Sequence, residues 1–543
     1  MLYNVEHNIM PITSSARRFI EQIKRSDPKV FYSSTEEISR IQVDSFVSRV
    51  AFIYEKIRNA IDYKEDHLMR KAAIFRILQR RLMIKVTTED LSLGLVKELI
   101  RAGYLENNLI PFSKTEEVDK IITKYLTLYN LSGSKKSSDN GAKLFKWLLG
   151  LCSCEIEECL MPPLANQALV EYMFKVMRPV VAINDPSSSD LEKDLYIYLA
   201  IYRALVKSDE VMMDYKLLRY FYPDWKNVQP VDLLPVAKKI NNLKKEIEKR
   251  RKYYLAEKLY RFFKKSAFVF YVLRDIISEN PDDADRLFKN PAQLELAIRS
   301  ACDKMYKNTR TKLRRSIVRV VIYLFLTKMV LALILEFPYD YYIAHKVMYL
   351  PLAINALFPP FLIFLLGIFI RIPSKKNTNR VVALAQEVVE QPLATSVKTT
   401  IGGVIKRSKF FVIVFYALYL ALFYLSFSVL LYLLNLLKFN IFSKLIFLLF
   451  LSLVSFFGIK MRMKVKDLTV IDKKENPLVF LVNLFALPFL KAGHWLSEKF
   501  SKINVFVFIL DFIIEAPLKI FLEVIEEWIA FLKEKKDEMY SKE

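Results

Sequence analysis

Glycine is scarce in this chain of 543 residues, with 10 in all. That leaves little room for glycine-rich phosphate loops or for the tight turns of a β-rich fold. No G-x4-G-K-[ST], G-x-G-x-x-G or G-x-S-x-G occurs, so the phosphate-cradling loop, the dinucleotide turn and the nucleophile elbow are all missing. The 4 histidines (His7, His67, His345, His494) are scattered and have neither H-x3-H nor H-E-x-x-H spacing. The 4 cysteines exclude a disulfide framework and suit a reducing compartment. Three of them cluster as Cys152-x-Cys154-x4-Cys159, but no fourth ligand is near and Cys154 falls off the helical face shared by the other two. Structural thiols there outweigh a metal or redox site by about four to one. Residues 1–15 have no apolar core of the kind a signal peptide needs.

Long apolar runs are what the chain has in excess. Four follow one another at 317–335, 350–370, 410–437 and 441–459. Each is about as long as the roughly 20 helical residues that cross a hydrocarbon layer, and in lipid only such a segment satisfies its own backbone. Four transmembrane helices are therefore expected. Their polar residues are few: Lys328, Asn355, Asn435, Ser443 and Lys444.

Charge around the runs gives an orientation. Residues 304–319 carry Lys304, Lys307, Arg310, Lys312, Arg314, Arg315 and Arg319 and no acid; 371–409 is also basic, and Lys460, Arg462, Lys464 and Lys466 follow the fourth run. The other two connections, a Tyr-rich loop at 336–349 and a short link near 438–440, are not basic. Positive span ends stay cytoplasmic, so two hairpins with both termini inside are expected. The net charge of +24, from 82 Lys and Arg against 58 Asp and Glu, is largely this bias, which argues against nucleic acid as the partner.

Outside the runs the pattern is helical. Capping boxes stand at Ser34–Glu37, Ser113–Glu116 and Ser189–Glu192. A helix follows the first from Ile38 to Ile61, others are expected at 65–84, 88–103, 113–129, 144–151, 164–181, 189–206 and 208–221, and the longest at 236–277. Residues 132–141, rich in Ser, Gly and Lys, read as a linker. The expected organisation is all-α: an N-terminal helical region at 1–131, a second cytoplasmic helical region at 142–310 ending in a basic juxtamembrane segment, a four-span membrane domain at 311–460, and interfacial and amphipathic helices at 461–543.

Residues 238–265 hold twelve basic residues against three acids, with aromatics between them. A solvated helix face is the plainer reading; the alternative is contact with anionic lipid headgroups by Lys249, Arg250, Arg251 and Lys252, joined by Arg310, Lys312, Arg314 and Arg315. After the fourth run, 477–490 is too short to span and is expected to be interfacial, re-entrant or buried. Residues 504–535 carry charges four apart (Asp511, Glu515, Lys519, Glu523, Glu527) and read as an amphipathic helix on the membrane surface. Whether 478–500 and 504–535 cross the membrane is left open by the pattern.

Lys328 is the one charge deep in a span. It can snorkel toward Glu336 and Asp340, pair with Asp511 or Glu515, or line a polar pathway.

Two stretches, 59–82 (NAIDYKEDHLMRKAAIFRILQRRL) and 503–538 (INVFVFILDFIIEAPLKIFLEVIEEWIAFLKEKKDE), resemble uncharacterised multi-pass membrane proteins of uncultured, small-genome bacteria of the candidate-phyla type. The resemblance covers the two ends better than the middle. It implies a bacterial cytoplasmic membrane and brings no activity, cofactor or catalytic residue. No cofactor or metal is expected, and the missing motifs lean against an enzyme. The expected function is a membrane-anchored scaffold or adaptor with a protein-binding helical domain. The alternatives are a transporter or channel component acting as an oligomer, and a membrane-bound enzyme with an unrecognised site.

Overall fold

The computed structural model describes residues 13–26, 31–32, 39–58, 65–83, 88–134, 137–343, 345, 349–390, 399–402, 408–471 and 477–502, together with isolated helical positions between 521 and 535. The expected box at Ser34–Glu37 and the charges proposed as a stripe at 511–527 lie outside the described residues.

The fold is all-α with a helical membrane part. In chain order the helices are α1 (Ser14–Lys24), α2 (Ser45–Arg58), α3 (Asp66–Met83), α4 (Thr88–Arg101), α5 (Ser113–Leu131), α6 (Asp139–Leu160) and α7 (Leu164–Met177). Strand β1 (Val181–Asn184) precedes α8 (Asp190–Val206), α9 (Glu210–Phe221), α10 (Leu233–Arg251), α11 (Ala256–Glu279), α12 (Ala284–Lys289) and α13 (Pro291–Leu331). The last part comprises α14 (Tyr349–Phe369), α15 (Lys375–Glu390), β2 (Thr399–Gly402), α16 (Lys409–Leu436), α17 (Ile441–Lys466) and α18 (Pro477–Lys502).

Local chemistry sets many of these bounds. Ser189 and Glu192 form the reciprocal capping box that opens α8, and Asp209 caps α9 through the Met212 amide. Gly103, at φ +75°, follows α4 in the left-handed conformation that terminates helices. Two helices differ from the pattern. The one expected from Ile38 starts at Ser45, because 39–43 is drawn into extended contact with 108–112: the Ile41 amide donates to the Ile110 carbonyl, and the Phe112 amide to that of Ser39. The long helix expected at 236–277 is broken at 252–255 into α10 and α11. Its two halves serve different cores, and a straight helix cannot bend into both.

One core is built by α3 to α6, α9 and α10, around Leu95, Leu128, Leu151, Leu217, Trp225 and Ile247. Helices α5 and α6, on either side of 132–138, pack against each other within it. The second core joins α1, α7, α8, α11 and α12 to the first half of α13, around Phe19, Met173, Ile201, Phe268 and Ile298. It also contains Val381, Val382, Ala385, Val388 and Val389 of α15, and Ile401 of β2. The segment between the second and third apolar helices is thus part of the soluble core. Strand β2 pairs in parallel with β1, Ile183 opposite Ile401, both buried. Two short strands alone are marginal, so this pairing depends on the core beneath it. Beyond α17, Asp467 pairs with Lys264 at 2.9 Å, and the Asn377 side chain bonds the Leu468 carbonyl and the Val470 amide.

Among the described residues, four helices are long and apolar enough to cross a membrane: the continuous helix at Pro291–Glu336, then Tyr349–Phe369, Lys409–Leu436 and Ile441–Lys466. Helix α13 runs 41 residues, about 60 Å at 1.5 Å per residue, from the soluble core at Leu294 and Ile298 to the membrane core at Leu324 without interruption. With α14 and α17 it encloses Leu324, Ile363, Phe450 and Val454. Helix α16 exposes most of its apolar side chains, as a lipid-facing helix does. Residues 477–490, expected not to span, begin the 26-residue α18, which is not among these four and packs along α17. The two approach so closely that a Cβ on Gly493 would meet the Ser452 carbonyl oxygen, the small-residue contact typical of membrane helices.

The soluble cores also hold buried charge. Asp214, 2% exposed, accepts from Trp147 Nε1 at 2.9 Å, and its Oδ1 has no hydrogen-bond partner among the described residues. Burial pushes its pKa up to about 6 against the pull of the Trp147 bond and Arg251. A raised folded pKa means stability present at low pH and lost as pH rises between about 4 and about 6. Asp214→Asn keeps an acceptor for Trp147 and removes the charge. It is expected to match the parent at pH 4 and to exceed it at pH 7.5, by at most about 3 kcal/mol. Thermal unfolding of both proteins across that range checks this.

Candidate functional site: a buried polar cluster among the apolar helices

Apolar helices in lipid have no use for polar side chains unless these meet one another. Here they do. Lys328 on α13 is 0% exposed and donates to Asn355 Oδ1 on α14. Asn355 Nδ2 donates in turn to Glu336 Oε1 at 2.6 Å and to the Ser443 carbonyl at 3.3 Å. Ser443, in the first turn of α17, donates its hydroxyl to Glu336 Oε2 at 3.1 Å. The ammonium lies 3.9 Å from the Glu336 carboxylate and 4.6 Å from the centre of the Phe450 ring.

Local backbone explains how Glu336 gets there. It stands just past the last apolar residue of the first run, and the sequence pattern assigns it to the outer loop. The structure corrects this: a π-helical turn at Ala332–Glu336 carries the helix onward and turns the carboxylate inward. In α14, Pro359 has no N–H to offer the Asn355 carbonyl four residues earlier. The kink-prone segment and the polar side chain therefore coincide. One cation and one anion leave the cluster neutral overall, and it ties the first, second and fourth apolar helices together.

Of the three arrangements open to Lys328, the partner is an acid named for snorkelling, and the pair is enclosed among helices. Asp511 and Glu515 lie outside the described residues. Asn355 and Ser443 are visible in the sequence as isolated polar residues; nothing in the apolar pattern reveals that they converge with Glu336.

The headgroup candidates divide. Arg250 pairs with Glu192 at 2.6 Å and Arg251 with Glu210 at 2.8 Å, both within the soluble part, whereas Lys249 and Lys252 are exposed. Arg310, Lys312, Arg314 and Arg315 are exposed on α13 just before its apolar stretch. Cys152 and Cys154 are buried on α6, and burial raises both thiols; that of Cys159 is pushed up to about 12. All three are protonated at neutral pH and are not poised as thiolates. No group of His, Cys, Asp and Glu that could hold a metal ion occurs among the described residues.

The cluster can act as a clamp on helix packing, or as a pair of titratable groups bridged by an amide. Comparison with protein-family models, with curated proteins and with solved structures finds no match to the chain.

Proposed function

We propose that the protein is a membrane-anchored scaffold or adaptor, which holds a large helical domain at a fixed position on the cytoplasmic face of a bacterial inner membrane and recruits protein partners there. One observation carries the reading: α15 and β2, which lie between two membrane helices, are core elements of the soluble part. With α13 continuous through both regions, the domain is fixed to the membrane helices at three points instead of hanging on a tether. Such rigidity suits a platform whose partners must meet at a set height. The cytoplasmic side follows from basic residues on the connections that join the soluble part.

Crosslinking and pull-down from native membranes test this. Stable protein partners that contact the helical domain support it. Solute or ion flux in proteoliposomes containing the purified protein alone would overturn it. A second reading, a transporter or channel component, is favoured by the enclosed Lys328–Glu336 pair, since charges at membrane depth mark ion and proton paths. Loss of flux in Lys328→Leu with stability unchanged would support that reading.

A further inference from the structure

Two adjoining cavities, each about 320 Å³, open in the soluble part, and one of them reaches Asp467 at the end of α17. That is the size range of small-ligand pockets. Both are lined by Arg203 and Ser208. The one that reaches α17 is completed by Lys207, Tyr260, Lys264, Tyr271 and Asp467. Asp467 immediately follows α17, about two helical turns beyond Ile459, where the apolar run ends. Lys464 of α17 is within electrostatic reach of Lys460, Lys207 and Lys312, with Glu65 the acid among them.

The lining is built rather than incidental. The Arg203 guanidinium lies 4.1 Å from the Tyr260 ring centre, with the Lys264 ammonium 5.5 Å from the same ring and Lys207 6.0 Å from Tyr271. Lys207 ends α8 in the left-handed conformation, φ 54°, which turns the chain so that Ser208 reaches both cavities. Acids hold the cations in place: Glu257 pairs with Arg203 at 3.0 Å, Glu65 with Lys207 at 2.6 Å, and Asp467, itself part of the lining, with Lys264 at 2.9 Å. Ser208 itself is 9% exposed, and its Oγ has no hydrogen-bond partner among the described residues. A buried hydroxyl without a partner is costly and rare, and marks a place where another group belongs.

We propose that this cleft binds a phosphate group, with the Ser208 hydroxyl donating to a phosphate oxygen and Arg203, Lys207 and Lys264 supplying the charge. Arginine and lysine with a hydroxyl are the usual partners of a phosphate oxyanion. Its reach to the end of α17 suits the headgroup of an anionic lipid; a free phosphate ion presents the same chemistry. The proposal is independent of the scaffold reading, because a platform and a transporter alike can hold such a ligand.

The test uses the full chain purified in neutral detergent. Inorganic phosphate, short-chain phosphatidylglycerol and phosphatidylcholine of the same chain length are titrated while binding and thermal stability are followed. Ser208→Ala is expected to weaken binding about tenfold, the scale of one charge-assisted hydrogen bond, while the unliganded protein stays as stable or gains. Arg203→Gln, which leaves Glu257 its contact with Arg261 at 3.4 Å, is expected to weaken binding at least as much. Dependence on both residues for phosphatidylglycerol alone identifies a lipid headgroup; the same dependence for inorganic phosphate identifies a free anion. The proposal is overturned if neither phosphate ligand binds, if phosphatidylcholine binds equally well, or if both variants bind like the parent.

Discussion

Glu336→Leu is expected to destabilise the purified protein by about 3–5 kcal/mol, the cost of leaving one partner of a buried ion pair alone. Lys328 would then keep only the Asn355 oxygen and the face of Phe450, at 0% exposure. The Ser443 hydroxyl would lose its acceptor in the same step, and Asn355 Nδ2 would keep only the Ser443 carbonyl at 3.3 Å. The double variant Lys328→Leu/Glu336→Leu removes both charges, and most of the loss is expected to return. Replacing a whole buried pair by apolar groups is often neutral, because desolvation offsets much of the attraction. Thermal unfolding in detergent, with membrane insertion measured alongside, checks both variants. A single variant as stable as the parent would mean that the pair does not clamp the helices.

The second large effect lies in the soluble part. Glu155 on α6 accepts from the Lys124 ammonium at 2.5 Å and from the Tyr125 hydroxyl at 2.8 Å, and is 3% exposed. Lys124 also donates to the Trp225 carbonyl at 3.0 Å, and Trp225 Nε1 donates to the Tyr125 hydroxyl at 2.9 Å. The four residues form a closed ring of hydrogen bonds between α5, α6 and the turn before α10. Glu155→Leu leaves a buried ammonium with one neutral acceptor and is expected to cost about 3–5 kcal/mol. Tyr125→Phe removes the acceptor of one indole N–H and one donor to the Glu155 carboxylate, leaves the Lys124–Glu155 pair in place, and is expected to cost about 1–3 kcal/mol. Urea unfolding followed by Trp fluorescence separates the two. Equal losses would show that the carboxylate contributes no more than the phenol.

The sequence carries the fold class in its apolar periods, and the four membrane helices in runs whose length matches a bilayer. Single positions such as Ser189 and Gly103 could be read in advance because their chemistry is local. Contacts across great sequence distance could not. The valines of α15 stand at helical spacing and announce an apolar face, but nothing in them says that it packs against α11 and the start of α13. The two strands are four residues each, too short to leave an alternating pattern. The break between α10 and α11 is a demand of tertiary packing, since the helical period runs through it. Of the membrane cluster, Lys328 was legible because an ammonium in lipid is expensive; Glu336 was not, because the π turn that draws it inward has no sequence signal. Ser208 is an ordinary serine until its burial is known.

The central claim is that the segment between two membrane helices is built into the soluble part. The measurement that bears on it most directly is disulfide crosslinking in intact cells between Ala182→Cys and Thr400→Cys, which are paired across the β1–β2 register on its more exposed side. Neighbouring strands lie about 4.8 Å apart, close enough for a disulfide with slight adjustment. Oxidation is expected to link the two positions in the folded protein, and neither cysteine should react with a membrane-impermeant reagent applied from outside. No crosslink, with Thr400→Cys labelled from outside, would contradict the account.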